Sequence, residues 1–520
     1  MMCPGFFSIT VPPVWGRWRG SMKYLLNAEQ MKACDRTTIE AFRVPSLVLM
    51  ERAALAVRDV VLERYPDASR ILAVCGSGNN GGDGYAAARL LNLAGRKADV
   101  LFVGKHDRRT EQTALQAEIF LAYGGCEIPD DASLKGYDLI LDALFGIGLA
   151  REVIGRYADV ISAVNRVEAP VVAIDIPSGV SADTGQILGC AVEADVTVTM
   201  QYGKLGHMLY PGAYNCGEVV VRDVGITDRR VRWDSEPVYE LEESDLDDLL
   251  PKRRPDANKG TYGKLLLIAG GRNIAGAAYL AGAAALRSGI GLVKILSDEA
   301  NRTILQSSLP EALFAPWPED GNIQEHLEWA DSVAAGPGMG QSDISRRILE
   351  CMLETWSGPM MIDADALNLI SKNPGLAGLL REDTVITPHP GEMSRLSSLF
   401  MDDRQGTAAV AASPVFFARE SSRALGCVTV MKGANTIISS DGQTFLNSYG
   451  NDGMAAGGSG DVLTGIIGAL LAQGTQPSEA ARAGVLVHSL AGDMAASSLG
   501  RRAMKAGDII SYIPEVLRKH

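Results

Sequence analysis

The apolar run Arg70–Cys75 stops at Gly76-Ser77-Gly78-Asn79-Asn80-Gly81-Gly82-Asp83-Gly84. Glycines let backbone approach a ligand closely, and a helix opening there would aim its free N–H groups at an anion. Glycines 76, 78 and 81 have the spacing of a dinucleotide fingerprint. The side chains Asn79, Asn80 and Asp83 fit a cation or a hydroxylated ligand better than a bare pyrophosphate turn. The acid that a dehydrogenase carries at the end of the next strand is missing, because that strand runs into Gly104-Lys105-His106. Two further strand ends bear acids, Asp142-Ala143-Leu144-Phe145-Gly146-Ile147-Gly148-Leu149 and Ile174-Asp175-Ile176-Pro177-Ser178-Gly179. Strand ends line the ligand crevice of a doubly wound sheet, so Asp142 and Asp175 are expected to face one site with the first loop. The bland alternative for each is a helix N-cap.

A second Gly-rich loop, Asn451–Asp461, leads into the apolar stretch Val462–Gln473. A helix N-terminus there supplies N–H groups and a partial positive charge. Asp461 falls in the first turn, where bound phosphate would repel it. A pure phosphate grip does not explain such an acid. A base that activates a hydroxyl for attack on phosphorus does. The alternative is an Asp that merely favours the helix dipole. Other strand ends converge on the same chemistry. Gly336-Pro337-Gly338-Met339-Gly340 is a backbone-exposing turn, and Asp363–Asn368 carries two acids. Asp363 could hold metal or water. Lys432, ahead of Gly433-Ala434-Asn435-Thr436, could neutralise phosphate. His389, in Thr387–Glu392, is equally a ligand contact or a structural imidazole bonded to its turn. His326, His488 and His520 have no comparable setting.

These residues need elements to position them. Residues 24–66 read as helical, with apolar residues three and four apart. Strands are expected at Arg70–Cys75, Asp99–Val103, Asp138–Asp142, Val171–Ile174, Asp195–Thr199 and Gly217–Val221, with helices at Gly82–Leu93 and Thr110–Tyr123. This alternation predicts an α/β, Rossmann-like doubly wound sheet, mostly parallel and covered on both faces. The stretch 227–258 is charged, with Pro at 237, 251 and 255. A boundary falls there, dividing a unit over 22–230 from one over 240–520. The alternation then restarts with strands at Lys264–Ala269, Gly291–Leu296, Ser332–Ala335, Met360–Asp363, Asp383–Thr387 and Cys427–Lys432. Helices are expected at Ala275–Ser288, Gly460–Gln473 and Ser478–Ser498.

The 520 residues have room for two or three cores. A net charge of −13, from 62 acidic and 49 basic residues, disfavours nonspecific nucleic-acid binding. The eight cysteines form no CxxC pair, which disfavours a zinc site or disulfide framework and fits a reducing cytoplasm. No apolar run is long enough for a membrane span. Residues 1–21 make a poor signal peptide and are expected to be a disordered extension, with Met22 as an alternative start. The Ala- and Gly-rich helices permit close packing between subunits, and a homo-oligomer is expected.

Over about 22–226 the chain resembles the NAD(P)H-hydrate epimerase domain. The likeness rests on Ala28-Glu29-Gln30-Met31, Leu49–Ala53, the GNNGGDG, DALFGIGL and DIPSG segments, Val196–Val198, Lys204 and Pro211-Gly212. It implies that Asn79, Asn80, Gly81, Gly82 and Asp83, with Gly146, Ile147, Gly148, Leu149, Ala150, Arg151 and Glu152, surround the hydrated nicotinamide nucleotide. It also implies a potassium ion on Asn80, Asp142 and Ser178, and contact of Asp175 with the reacting ring. Ile147 stands where the family often has Thr. Epimerisation at C6 needs proton transfer beside a hydroxylated carbon, and Asp175 is the expected acid/base.

Over about 241–518 the chain resembles the ADP-dependent NAD(P)H-hydrate dehydratase, which has a ribokinase-like fold. The likeness rests on Leu246–Leu250, Lys259–Gly263, Ile268–Ala277 and the loop at 457–465. It implies that Ala277, Gly338, His389 and Asp461 contact the hydrated nucleotide. Lys432, Gly433, Ala434, Asn435, Thr436 and Gly460 would contact the adenine nucleotide. Ser459 stands where Thr is common, and GRNIA at Gly271–Ala275 lacks the usual Ser and aromatic residue.

The resemblance implies repair of NADHX and NADPHX, the hydrates of NADH and NADPH. One half interconverts the R and S epimers. The other phosphorylates the C6 hydroxyl of the S form with ADP and Mg²⁺, then loses phosphate. Asp461 would be the base, with the 457–460 amides on the transferring phosphate. Two alternatives remain at this point. One is a ribokinase-like small-alcohol kinase fused to a Rossmann-like module. The other is a first half that binds without catalysing.

Overall fold

The computed structural model describes residues 23–520, so the extension expected at 1–21 lies outside the described residues. Two sheets organise it. The first has seven strands, in the order Cys126–Glu127, Lys97–Phe102, Arg70–Cys75, Leu139–Ala143, Val171–Ile174, Val196–Met200, Glu218–Arg222. Every neighbouring pair is parallel. The run Arg70–Cys75 has no polar face because both of its faces are covered. Ile71, Ala73 and Cys75 enter one apolar cluster, and Leu72 and Val74 enter another. The chain builds outward from Arg70–Cys75 to one side, then returns to its other side with Leu139–Ala143. This reversal opens a crevice beyond the strand ends at Gly76 and Leu144.

The second sheet has twelve strands. From Leu313–Pro316 through Leu292–Ser297, Lys264–Ile268, Ser332–Ala335, Met360–Ile362 and Thr384–Ile386 to Val428–Met431 it is parallel. Its reversal lies at Lys264–Ile268. The hairpin Thr436–Ser440 and Gln443–Asn447 follows antiparallel. Leu265 and Leu267 face the helices Ala275–Arg287, Ser459–Ala472 and Pro477–Leu499. Leu266 and Ile268 face Asp343–Thr355 and Ala364–Lys372. Ser459–Ala472 is apolar around nearly its whole circumference because it is a buried core helix.

The sequence reading needs two corrections. The region taken as helical from 24 begins instead with a strand, Lys23–Leu26, and the charged connector contains another, Val238–Glu240. Val238–Glu240 pairs with Gln443–Asn447, Lys23–Leu26 pairs with Val238–Glu240, and Gly203–Lys204 closes the row. Three strands from the first half and the connector thus extend the second sheet. Such short segments carry too little alternation to read, and their partners are distant in sequence. Leu25 and Leu26 point into different apolar clusters, which fixes the register. The helix after the first Gly-rich loop also starts earlier than expected, at Asn79 rather than Gly82, so Asn79 and Asn80 lie in its first turn. Packing overrides the poor helix propensity of glycine here. A Cβ on Gly81 would lie 1.9 Å from the Gly76 carbonyl oxygen, and one on Gly76 would lie 2.1 Å from that of Leu144. The fingerprint-like glycines at 76 and 81 therefore allow backbone to pack on backbone.

Candidate active sites

A cavity of about 850 Å³ opens at the reversal of the seven-stranded sheet. Asn79, Asn80, Asp83, the run Gly146–Arg151 and Asp175 all line it, as expected from sequence. Gly81 and Gly82 do not. They are buried in the helix, and a Cβ on Gly82 would lie 2.8 Å from Met50 Cε. Glu152 is exposed outside the lining. The two N-terminal helices supply Met31, Asp35, Leu49 and Met50, which the sequence reading did not place there.

Asp175 leaves its strand with φ of 69°, a left-handed conformation that Asp tolerates better than most residues. Its carboxylate accepts a hydrogen bond from Lys204 Nζ at 2.6 Å. Lys204 is fully buried and also donates to Thr199 Oγ1 at 2.6 Å. His207 Nδ1 accepts from the Lys204 amide, which leaves Nε2–H to donate to the Asp175 carbonyl at 2.9 Å. Burial alone would push the Asp175 carboxyl up. The charge and hydrogen bond of Lys204 outweigh it and hold the group below its ordinary value. Asp83 moves the other way. Its burial, reinforced by the charges of Asp175 and Asp35, holds it well above its ordinary value. Asp35 is raised for similar reasons, burial first and Asp175 second. Burial pushes His207 down to about 4, with Lys204 adding to the shift, so its ring is neutral. One cavity thus holds two carboxyls whose surroundings push their pKa values in opposite directions, the pattern of an acid and base pair. Lys204 carried no role in the sequence reading. Its partner is 29 residues away on another strand end, and only the fold joins them.

Behind this cavity Asp142 is 1 % exposed and Ser178 fully buried. Ser178 Oγ donates to Asp142 Oδ1 at 2.6 Å, and its amide to Oδ2 at 2.7 Å. Burial pushes Asp142 up to about 6 against those hydrogen bonds. Asn80 is buried, and its Nδ2 has no partner. The reversed amide would place oxygen there. A carboxylate, a hydroxyl and an amide oxygen are donor types that a hard cation such as potassium takes, although both Asp142 oxygens already accept hydrogen bonds.

At the ends of the second sheet's strands, Asp461 lies in the first turn of Ser459–Ala472, after Gly458 with φ of 92°. Lys432 Nζ donates to Asp363 Oδ1 at 2.7 Å and lies 3.9 Å from Glu392 Oε2. Thr464 Oγ1 donates to Asp363 Oδ2 at 2.8 Å. A Cβ on Gly460 would lie 3.4 Å from Lys432 Nζ. Gly460 and Lys432 therefore meet around Asp363. Burial, with the charge of Asp363, pushes Asp461 up to about 6. Burial pushes Lys432 down, but Asp363 and Glu392 more than offset it and keep it a cation. Gly433, Ala434, Asn435 and Thr436 form the turn after Lys432, exposed at Gly433 and Ala434.

Gly338 has φ of 56°, and a Cβ there would lie 3.0 Å from Ala277 Cβ, so these two predicted contacts are neighbours. Gly271 N–H donates to the Gly338 carbonyl at 2.6 Å, and Gly340 N–H to Asp365 at 2.9 Å. His389 caps Pro390–Leu396, its Nδ1 accepting from Gly391 N–H at 3.0 Å. Its side chain is still half exposed. The structural and ligand-facing readings of this imidazole are therefore compatible. His488, set aside on sequence, lies half-buried under the loop with Nε2 3.0 Å from the Ser459 carbonyl. Burial pushes it down to about 4, so its neutral ring steadies the loop. Mg²⁺ fits here on nucleotide phosphates rather than in a protein cage. Among the described residues no group of three or more His, Cys, Asp or Glu converges, and each oxygen of Asp363 already accepts a hydrogen bond.

The family model for NAD(P)H-hydrate dehydratase matches residues 265–515, and that for the YjeF-related protein N-terminus matches 46–206. The bifunctional NAD(P)H-hydrate repair enzyme Nnr of Thermofilum pendens is 36% identical over 514 residues, covering 94% of this chain and 95% of its own. The enzyme of that name from Escherichia coli is 36% identical over 493 residues, covering 94% and 93%. An ADP/ATP-dependent NAD(P)H-hydrate dehydratase from Bacillus subtilis, crystallised with ATP and Mg²⁺, is 29% identical with a TM-score of 0.48, covering 54% of this chain and 97% of its own. With both halves matched in order over nearly the full length of these relatives, the chain belongs to the family of bifunctional NAD(P)H-hydrate repair enzymes.

Proposed function

We propose that the chain restores NADH and NADPH from their hydrates by two activities in series, divided at the connector near 230–240. The observation that carries this reading is a carboxylate with a shifted pKa in each site, Asp175 held low by Lys204 in the first cavity and Asp461 raised to about 6 at a helix N-terminus in the second. In the first cavity, C6 of the hydrate bears a hydroxyl and the ring nitrogen. Opening and reclosing the N1–C6 bond inverts it. Asp175 takes the hydroxyl proton as C6 becomes a carbonyl and the N1–C6 bond opens, and Asp83, whose burial favours its neutral form, gives a proton to N1; reclosure on the other face reverses both transfers. Asn79 and Gly146–Arg151 hold the nucleotide. Asn80, Asp142 and Ser178 would hold potassium, which would supply positive charge to the site.

In the second site Asp461 removes the C6 hydroxyl proton of the S epimer as its oxygen attacks the β-phosphorus of ADP. AMP leaves, the ring nitrogen expels phosphate, and a proton lost from C5 completes NAD(P)H. Lys432 and the 457–460 amides stabilise charge on the transferring group, and Mg²⁺ adds to that neutralisation when present. Ala277, Gly338 and His389 border the hydrated ring, with Gly433, Ala434, Asn435 and Thr436 on the adenine nucleotide. The seven described cysteines are all free, in keeping with a reducing cytoplasm. The Ala- and Gly-rich helices are compatible with a homo-oligomer.

Asp461→Asn in the full chain tests the assignment. With ADP, Mg²⁺ and a mixture of epimers, NADH formation should fall at least about a hundredfold while R and S continue to exchange. NADH formation at the unmodified rate would remove Asp461 from the mechanism.

A further inference from the structure

The cavity that holds Asp175 shares Ser77 and Arg151 with a second, smaller one of about 480 Å³. Gly104, Lys105, Arg108 and Tyr157 complete the lining, so three of its six residues are cations and none is an acid. The neighbouring Arg109 is already committed, paired with Glu127 at 2.7 Å and set against Phe102. Arg156 is likewise paired with Asp130. Lys105, Arg108 and Arg151 make no ion pair among the described residues, and all three are exposed. A concentration of unpaired positive charge on a chain of net charge −13 needs a reason. A Cβ on Gly104 would lie 3.1 Å from the Tyr157 hydroxyl, so the glycine keeps this space open.

Position supplies the reason. Lys105 and Arg108 follow the strand Lys97–Phe102, which lies beside the strand that feeds the Gly-rich loop. In doubly wound dinucleotide sites this is where the adenosine ribose is read. An acid there accepts a hydrogen bond from a free 2′-hydroxyl, and a cation accommodates a 2′-phosphate. The acid is missing and the cations are present.

We propose that Lys105, Arg108 and Arg151 form a subsite for a phosphate monoester, the 2′-phosphate of NADPHX. The first half then acts on NADPHX in preference to NADHX. This inference rests on the epimerase reading above.

The test uses the full chain without ADP, so that only R-to-S exchange is followed by chromatography. R-NADHX and R-NADPHX are compared in the unmodified protein and in Lys105→Ala/Arg108→Ala. The unmodified protein should have the higher kcat/KM for NADPHX. The double substitution should lower the NADPHX-to-NADHX ratio of kcat/KM by about tenfold. Added salt should lower that ratio in the unmodified protein and hardly change it in the variant. An equal fall for both substrates would assign the cluster to the shared pyrophosphate and overturn the proposal. No change for either would make it a solvated patch and also overturn it. Calorimetry keeps the subsite testable without turnover. The variant should bind ADP-ribose 2′-phosphate about tenfold more weakly and ADP-ribose as before, and unweakened binding of the former would overturn the proposal. An unmodified protein that exchanges neither substrate would instead sink the epimerase reading, leaving calorimetry to decide the subsite.

Discussion

Lys204 decides what Asp175 can do. It is fully buried, and its ammonium is tolerated because Asp175, Thr199 and the Met200 carbonyl accept its hydrogen bonds. Lys204→Met would leave Asp175 with burial and no compensating cation, and its pKa would rise. Epimerisation should then require higher pH and fall at neutral pH, with a loss of about 3 kcal/mol in stability from the broken buried pair. The pH–rate profile and a urea titration check both. Asp461 has the opposite character, raised to about 6 by burial and by Asp363. It must be ionised to act as a base, so the dehydration rate should fall as pH drops through about 6 and stay level above it. A rate unchanged down to pH 5 would contradict that role. Asp175 and Asp461 stand out in the sequence because one ends an apolar run in a Gly-rich turn and the other closes a Gly-rich loop that leads into an apolar run. Lys204 and His488 were not, because each acts on a residue 29 positions away through a contact that only the fold creates.

At the scale of elements, the long apolar runs read well. Val171–Ile174 and Ser332–Ala335 fall where alternation of strand and helix puts them. Short elements did not read. Lys23–Leu26, Val238–Glu240 and Gly203–Lys204 have four, three and two residues, and each finds its register through partners far along the chain. Leu25, 2 % exposed, packs in one apolar cluster with Leu205, Val238, Met431 and Leu446. Lys204, the partner of Asp175, stands opposite Leu26 in the row that Leu25 anchors. Leu25→Asp would bury an unpaired charge at this seam. It should lower the melting temperature and reduce epimerisation along with dehydration, because the seam holds strands of both halves. Loss of dehydration alone, with Lys204 and epimerisation undisturbed, would show that the seam does not position the first site.

For the whole molecule, the two Gly-rich loops that looked alike in sequence have different work. The loop at 76–84 packs backbone on backbone and presents Asn79, Asn80 and Asp83 to a cavity. The loop at 457–465 sets the Asp461 carboxylate in the first turn of a helix and packs Gly460 by the Lys432 ammonium. Their union in one chain has a chemical reason. Hydration of the nicotinamide ring yields both epimers, and a dehydratase that takes one of them leaves the other stranded. The sequence hid the sheet shared by the two halves, because that sheet is closed by short strands. The central claim is tested by giving the purified full chain an equal mixture of R- and S-NADHX with excess ADP and Mg²⁺ and following NADH absorbance to completion. The account predicts conversion of the whole mixture, with AMP and phosphate formed in step. Conversion that halts when the S epimer is spent would contradict the first activity, and no ADP-dependent NADH at all would contradict the second.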